Sequence, residues 1–110
     1  MYEGDFINDK FEGNGKLIKE NGEYYIGQFK NHLRNGKGIV FYKNGNIMYE
    51  GSFVDDKKEG NGKFIFKTGE YYIGNWKHDI INGKGALYYK NGQVMFEGDC
   101  GDKLASLSSN

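Results

Sequence analysis

An aromatic residue, a spacer, glycine, another spacer and a second aromatic residue recur along this 110-residue chain and constrain it more than anything else in it. They appear as Tyr2-Glu3-Gly4-Asp5-Phe6, Tyr25-Ile26-Gly27-Gln28-Phe29, Tyr49-Glu50-Gly51-Ser52-Phe53 and Tyr72-Ile73-Gly74-Asn75-Trp76. A Gly-x-Gly pair follows each copy at the same distance, beginning at Gly13, Gly36, Gly60 and Gly83, and a fifth copy opens at Phe96-Glu97-Gly98. A unit this short cannot enclose its own apolar side chains, so it must stack on its neighbours as one element of an array.

From Tyr2 through Tyr25, Tyr49 and Tyr72 to Phe96 the steps are 23, 24, 23 and 24 residues. Period-two alternation reads each unit as two strands. Tyr25, Gly27 and Phe29 then share one face with Gly36, Gly38 and Val40, and the corresponding residues of the other units do the same. On this aromatic face glycine has a mechanical reason. Without side chains at Gly27 or Gly38, the neighbouring rings can lie across the backbone.

Pairing Gly4 with Gly15, Gly27 with Gly38, Gly51 with Gly62 and Gly74 with Gly85 sets Glu3 against Lys16, Ile26 against Ile39, Glu50 against Lys63 and Ile73 against Ala86. Opposite charges or two apolar groups face each other every time, as cross-strand energetics favour, so this register is expected. Asn21-Gly22, Asn44-Gly45, Thr68-Gly69 and Asn91-Gly92 mark turns between units. Parity predicts that they alternate. A two-residue loop at Asn44-Gly45 puts Val40 opposite Tyr49, whereas a three-residue loop at Glu20-Asn21-Gly22 is needed to put Leu17 opposite Tyr25. Segments 30–35 and 77–82 are expected to be loops along one edge.

The predicted fold is all-β: an elongated, twisted antiparallel meander of stacked β-hairpins with no helices. Residues 1–99 form one array of four units (2–24, 25–48, 49–71, 72–95) plus the start of a fifth. Residues 100–110 form a divergent tail in which Cys100 takes the column of Phe6, Phe29, Phe53 and Trp76. The array has no recognisable caps, which suggests a piece of a longer chain or ends that pair with another copy.

Composition removes several functions. Fifteen basic and fifteen acidic residues give a formal net charge of zero. They are interspersed, which leaves no concentrated basic face for nucleic acid. No apolar run approaches a membrane span, and the first residues lack a signal-peptide core. A lone Cys100 excludes an internal disulfide and fits a reducing, cytoplasmic setting. His32 and His78 fall at different repeat offsets, so no metal column forms. Asp9, Asp55, Asp56 and Asp79 lack calcium-loop spacing, and the Gly-x-Gly pairs lack the Ser or Thr and the helix of a phosphate loop. Nothing assembles a nucleophile, a base and an oxyanion site. The chain reads as a non-enzyme with no cofactor, no metal and no small-molecule substrate.

Tyr-x-Gly-x-Phe/Trp followed by Gly-x-Gly at this period resembles the MORN (membrane occupation and recognition nexus) repeat from residue 2 to about 99. The 24-residue units, with Tyr88-Tyr89-Lys90-Asn91-Gly92 leading to Phe96-Glu97-Gly98, are more similar to a related bacterial variant of that repeat. The resemblance implies an elongated twisted sheet of hairpins serving as a scaffold or protein-binding module, often joined to other domains and often dimeric. It also implies possible association with membranes or the cytoskeleton, since phospholipid binding has been proposed for the family. The repeat does not name a biological process by itself.

The aromatic face is the surface with a functional claim. A row of rings in a glycine-lined trough offers a groove to an extended segment or a helix, and Tyr25, Phe29, Tyr49, Phe53, Tyr72 and Trp76 are the expected partner contacts. The same rings are also expected to be the core of a sheet that has no other. The partner is a protein segment or another copy of the chain. The alternative is an anionic lipid surface, met by Lys16, Lys37, Lys63 and Lys84 on the other face, where Glu3 and Glu50 offset two of the four.

Overall fold

The alternation and the punctuating glycines are realised in a computed structural model that describes residues 1–99. Nine strands lie side by side in sequence order in one antiparallel sheet. They are β1 (Tyr2–Ile7), β2 (Lys10–Ile18), β3 (Tyr24–Lys30), β4 (Leu33–Phe41), β5 (Ile47–Val54), β6 (Lys57–Ile65), β7 (Tyr71–Lys77), β8 (Ile80–Tyr88) and β9 (Val94–Asp99). The sheet extends over 45 × 27 × 24 Å, and no helix occurs among the described residues. The divergent tail and Cys100 lie outside the described residues.

The expected register is the one observed. Gly4 pairs with Gly15, Gly27 with Gly38, Gly51 with Gly62 and Gly74 with Gly85. Glu3 meets Lys16, Ile26 meets Ile39, Glu50 meets Lys63 and Ile73 meets Ala86. Leu17 opposes Tyr25 and Val40 opposes Tyr49, which keeps every aromatic column on one face.

The turns between units do not alternate. In all four, an amide closes the loop onto a carbonyl four residues on: Lys19 to Glu23, Tyr42 to Asn46, Phe66 to Glu70 and Tyr89 to Gln93. In each the turn glycine donates back to the first residue, and Gly22, Gly45, Gly69 and Gly92 share φ values of 93, 94, 105 and 94°. Asn21, Asn44 and Asn91 each accept the amide two residues on through Oδ1 at 2.9 to 3.0 Å, an Asx turn that fixes the loop. The extra residue of the longer units sits instead in the strand after the turn. Phe41 pairs with Ile47 but Val40 with Tyr49, and Tyr88 pairs with Val94 but Leu87 with Phe96. Met48 and Met95 are therefore bulges, and both pack against the core. Moving the parity correction into a bulge keeps one turn geometry throughout and adds a flexible apolar side chain to the core.

The expected loops at 30–35 and 77–82 are also replaced by strand. Within each unit only two residues turn the chain, Asn8-Asp9, Asn31-His32, Asp55-Asp56 and His78-Asp79. All eight have positive φ, between 48 and 71°. Two successive left-handed residues make a type I′ turn, and Asn, Asp and His are the side chains that best tolerate that region without being glycine. The strands resume at once and then bulge. Gly27 pairs with Gly38 but Phe29 with Arg34, so two additional residues are absorbed on β4, with Gly36 at φ 96°. Gln28 faces the bulge and its Oε1 accepts the amide of Lys37 at 2.8 Å.

Deleting the bulged Met48 should leave the Tyr42–Asn46 turn intact and reduce stability by about 1 kcal/mol, the worth of a partly buried side chain. Amide exchange at Gly45 is the measurement. Lost protection there would mean that the turn, and not the strand, accommodates the extra residue.

Candidate partner-binding face

Each unit's first tyrosine lies flat across its own glycine and the cross-strand glycine. A Cβ on Gly62 would stand 2.5 Å from Tyr49 Cε1, and one on Gly85 would stand 2.6 Å from Tyr72 Cε1. Lying down also carries the hydroxyl to a carbonyl three residues on: Tyr2 to Asp5 at 2.7 Å, Tyr25 to Gln28 at 2.8 Å, Tyr49 to Ser52 at 3.0 Å and Tyr72 to Asn75 at 3.1 Å. Each of those four acceptor residues lacks a register partner on the following strand. The ring thus fills the glycine trough while its polar end satisfies a carbonyl beside the bulge.

The second aromatic of each motif meets these tyrosines edge to face, within a unit and across to the next. Tyr2–Phe29, Tyr25–Phe53 and Tyr49–Trp76 centroids are 5.0, 5.2 and 5.5 Å apart between units. Within units, Tyr25–Phe29, Tyr49–Phe53 and Tyr72–Trp76 are 5.1, 5.2 and 5.6 Å apart. A continuous zigzag of rings therefore runs along the array, each near-perpendicular contact adding roughly 0.5–1.5 kcal/mol to the area buried. Tyr25, Phe29, Tyr49, Phe53, Tyr72 and Trp76 are 0–7% exposed and constitute most of the core. Trp76 also donates its indole N–H to Gly62 O at 3.3 Å. As positions for a partner, these six are the floor of the face and not its outer surface.

What lies over the floor was not legible as a site in the sequence. The residue nine positions after each leading tyrosine is Phe11, Arg34, Lys58 or Ile81. Phe11 stacks on Tyr2 at 3.7 Å between centroids. The Arg34 guanidinium stands 4.6 Å over Phe53 and 5.7 Å over Tyr25, and Lys58 Nζ stands 5.4 to 5.7 Å from Tyr49, Trp76 and Phe64. Ile81 packs against the same core. Phe11, Arg34 and Lys58 are each clasped by the turn of the next unit. Arg34 Nε donates to Asp56 Oδ1 at 2.6 Å and its terminal nitrogen to Asp56 O at 2.7 Å. The amide of Lys58 donates to Asp79 Oδ1 at 2.8 Å, and its ammonium lies 3.8 Å from the same oxygen.

His32 makes the corresponding clasp on Phe11. Its Nδ1 accepts the Phe11 amide at 3.2 Å, its own amide donates to Phe11 O at 3.1 Å, and its ring meets Phe11 at 4.7 Å. His78 sits in a turn beside Glu59, 3.2 Å from Nδ1 to Oε1. Asp56 and Asp79, which the sequence scatters among turns, are therefore inter-unit clasps. The offset between the ninth-position cation and an aspartate 22 or 21 residues later (Arg34 to Asp56, Lys58 to Asp79) was the available signal. No group of three or more His, Cys, Asp or Glu side chains able to hold a metal occurs among the described residues.

On the opposite face Lys16 Nζ lies 5.0 Å over Tyr24 and Lys63 Nζ 4.6 Å over Tyr71. Tyr24 stacks on Phe41 and Tyr71 on Tyr88. Two of the four lysines in that ladder are thus drawn onto rings as well as set across from glutamates.

A model of the MORN repeat matches residues 2–24, 25–47, 49–71 and 72–94, and the chain belongs to that family. Family members are generally non-catalytic repeat modules involved in protein or membrane interactions. The matched spans pass over Met48, the bulged residue. A search of curated proteins found no match.

Burial pushes the Tyr25 and Tyr49 phenols up to about 12. Ionisation then favours the unfolded chain, whose phenols titrate near 10. The stability these rings supply is complete below pH 10 and is lost as pH rises from there through 12. Ultraviolet phenolate titration should show the two ionising only together with the loss of β-sheet circular dichroism. Free titration of all tyrosines near pH 10 in a folded sheet would contradict the packing.

The Arg34–Asp56 clasp should be asymmetric, because the arginine side chain is 15% exposed and the aspartate 48%. Asp56→Ala strands a covered guanidinium and should cost about 1–3 kcal/mol. Arg34→Met leaves a hydrated carboxylate and keeps the cover on the rings, so it should cost less than about 1.5 kcal/mol. Urea denaturation of the two variants measures the difference.

Proposed function

We propose that this chain is a non-catalytic scaffold that binds a protein partner on its aromatic face. The observation that carries the reading is that the nine strands form one layer with no second sheet or helix packed on them among the described residues. Apolar groups flanking the ring ladder consequently stay accessible: Phe6 is 57% exposed, and Phe11, Phe64, Phe66 and Ile81 are half-buried. The expected contacts Tyr25, Phe29, Tyr49, Phe53, Tyr72 and Trp76 act in this reading as a rigid, preorganised floor, and the partner touches the residues that lie on and beside them. Self-association is the same reading with a second copy as partner. Lipid binding through the opposite face is the competing one, and the engagement of Lys16 and Lys63 by rings and glutamates weighs against it.

Site-specific photocrosslinking separates these. A crosslinking phenylalanine analogue placed at Phe66 on the aromatic face should yield protein adducts in cells, and the same analogue at Ile26 on the opposite face should not. Adducts formed only from Ile26 would overturn the assignment. Co-flotation with anionic vesicles at physiological salt would support the lipid reading, and adducts of twice the chain's own mass would identify a second copy.

A further inference from the structure

Arg34 and Lys58 occupy the same place in consecutive units, yet their cations are held very differently. The Arg34 guanidinium is locked to Asp56 by two short hydrogen bonds besides its ring contacts. The Lys58 ammonium stands over three mutually packed rings, Tyr49, Phe64 and Trp76, at 5.4, 5.7 and 5.5 Å. Its carboxylate is Asp79, which stands 3.8 Å away and already accepts the Lys58 amide. A primary ammonium carries three donors, and this surrounding answers them poorly. Burial pushes the Lys58 amine below its usual value, although Asp79 opposes the shift. Three rings with one carboxylate at the rim are the surroundings that suit an ammonium without N–H groups.

We propose that the Tyr49–Phe64–Trp76 cage with Asp79 is a recognition site for a trimethylated lysine side chain of a partner protein, and that Lys58 is its resident, displaceable occupant. The geometry favours a lysine stem over other trimethylammonium groups because the present occupant is one, an unbranched four-carbon chain laid along the face with its head among the rings. Lys58 can vacate the cage by rotating about its own side-chain bonds, since its side chain is 19% exposed and its head carries no short hydrogen bond. Asp79, at 47% exposed, is open to an incoming cation. Arg34, bound through Nε and one terminal nitrogen, stays as a fixed cover over Phe53 and Tyr25. The inference rests on the aromatic face being the partner-binding face and names the chemistry it reads.

The test is a titration of the intact chain with the Nα-acetyl amide of Nε-trimethyllysine, followed by Trp76 fluorescence and by the shift of its indole proton. Expected is a saturable change in the wild type, about tenfold weaker with the unmethylated lysine amide and weaker with choline. Lys58→Ala removes the internal competitor and should tighten trimethyllysine binding by about tenfold, whereas Asp79→Asn should weaken it several-fold. The wild-type titration is decisive whether or not a variant folds. No saturable response, or equal responses to methylated and unmethylated lysine, would overturn the proposal, and tighter binding of choline would overturn the assignment to a lysine stem. Crosslinks confined to the opposite face with an intact cage titration would instead remove the partner-binding reading of this face while leaving the cage.

Discussion

Everything in this sheet depends on a tyrosine ring lying flat on a pair of glycines. The ring can come down only because neither Gly62 nor its counterparts carry a Cβ, and once down it holds the two strands of a hairpin together across their closest approach. The hydroxyl then reaches a carbonyl beside the bulge, so ring packing and backbone satisfaction are one event. A side chain standing upright would need a second layer to cover it. Lying down, it is covered by the next unit's aromatic.

That arrangement makes the array cooperative in one direction. Tyr2, Tyr25 and Tyr49 each meet an aromatic of their own unit and one of the following unit, so none of these units has a complete core alone. The ninth-position residue and the turn aspartate or histidine of the next unit add a polar clasp in the same direction, alongside the rings. The two systems meet at Arg34 and Lys58, whose charged heads are simultaneously clasp partners and ring covers. A cation over a row of rings is a stabilising device and also a chemical surface, which is why structural and recognition roles coincide on this face.

The hairpin turns show two ways of meeting a positive φ. Between units glycine takes the position and in three of the four turns the preceding asparagine ties the loop; within units Asn, Asp and His take it in pairs without glycine. The second kind leaves no dipeptide signal of the usual sort, and those segments therefore read as loops until the strands on either side are seen to pair down to Lys30 and Leu33. Parity was solved correctly in its outcome, with Val40 opposite Tyr49, but the device is a bulge at Met48, because a single turn geometry recurs more easily than two.

The sequence by itself determined the antiparallel meander of hairpins, the register of the glycine pair within each unit and the face that carries the rings. All of these follow from local periodicity and from the volume that glycine leaves empty, as Gly27, Gly38 and Tyr25 illustrate. Only the tertiary structure decided which rings are floor and which groups cover them. Arg34 and Asp56 are 22 residues apart, and nothing in either neighbourhood alone links a strand cation to the next unit's turn. Likewise the cage at Lys58 draws Tyr49, Phe64 and Trp76 from three successive strands. Side chains from separate strands converge only after the sheet has formed and twisted, and a reading confined to one unit has no term for that convergence.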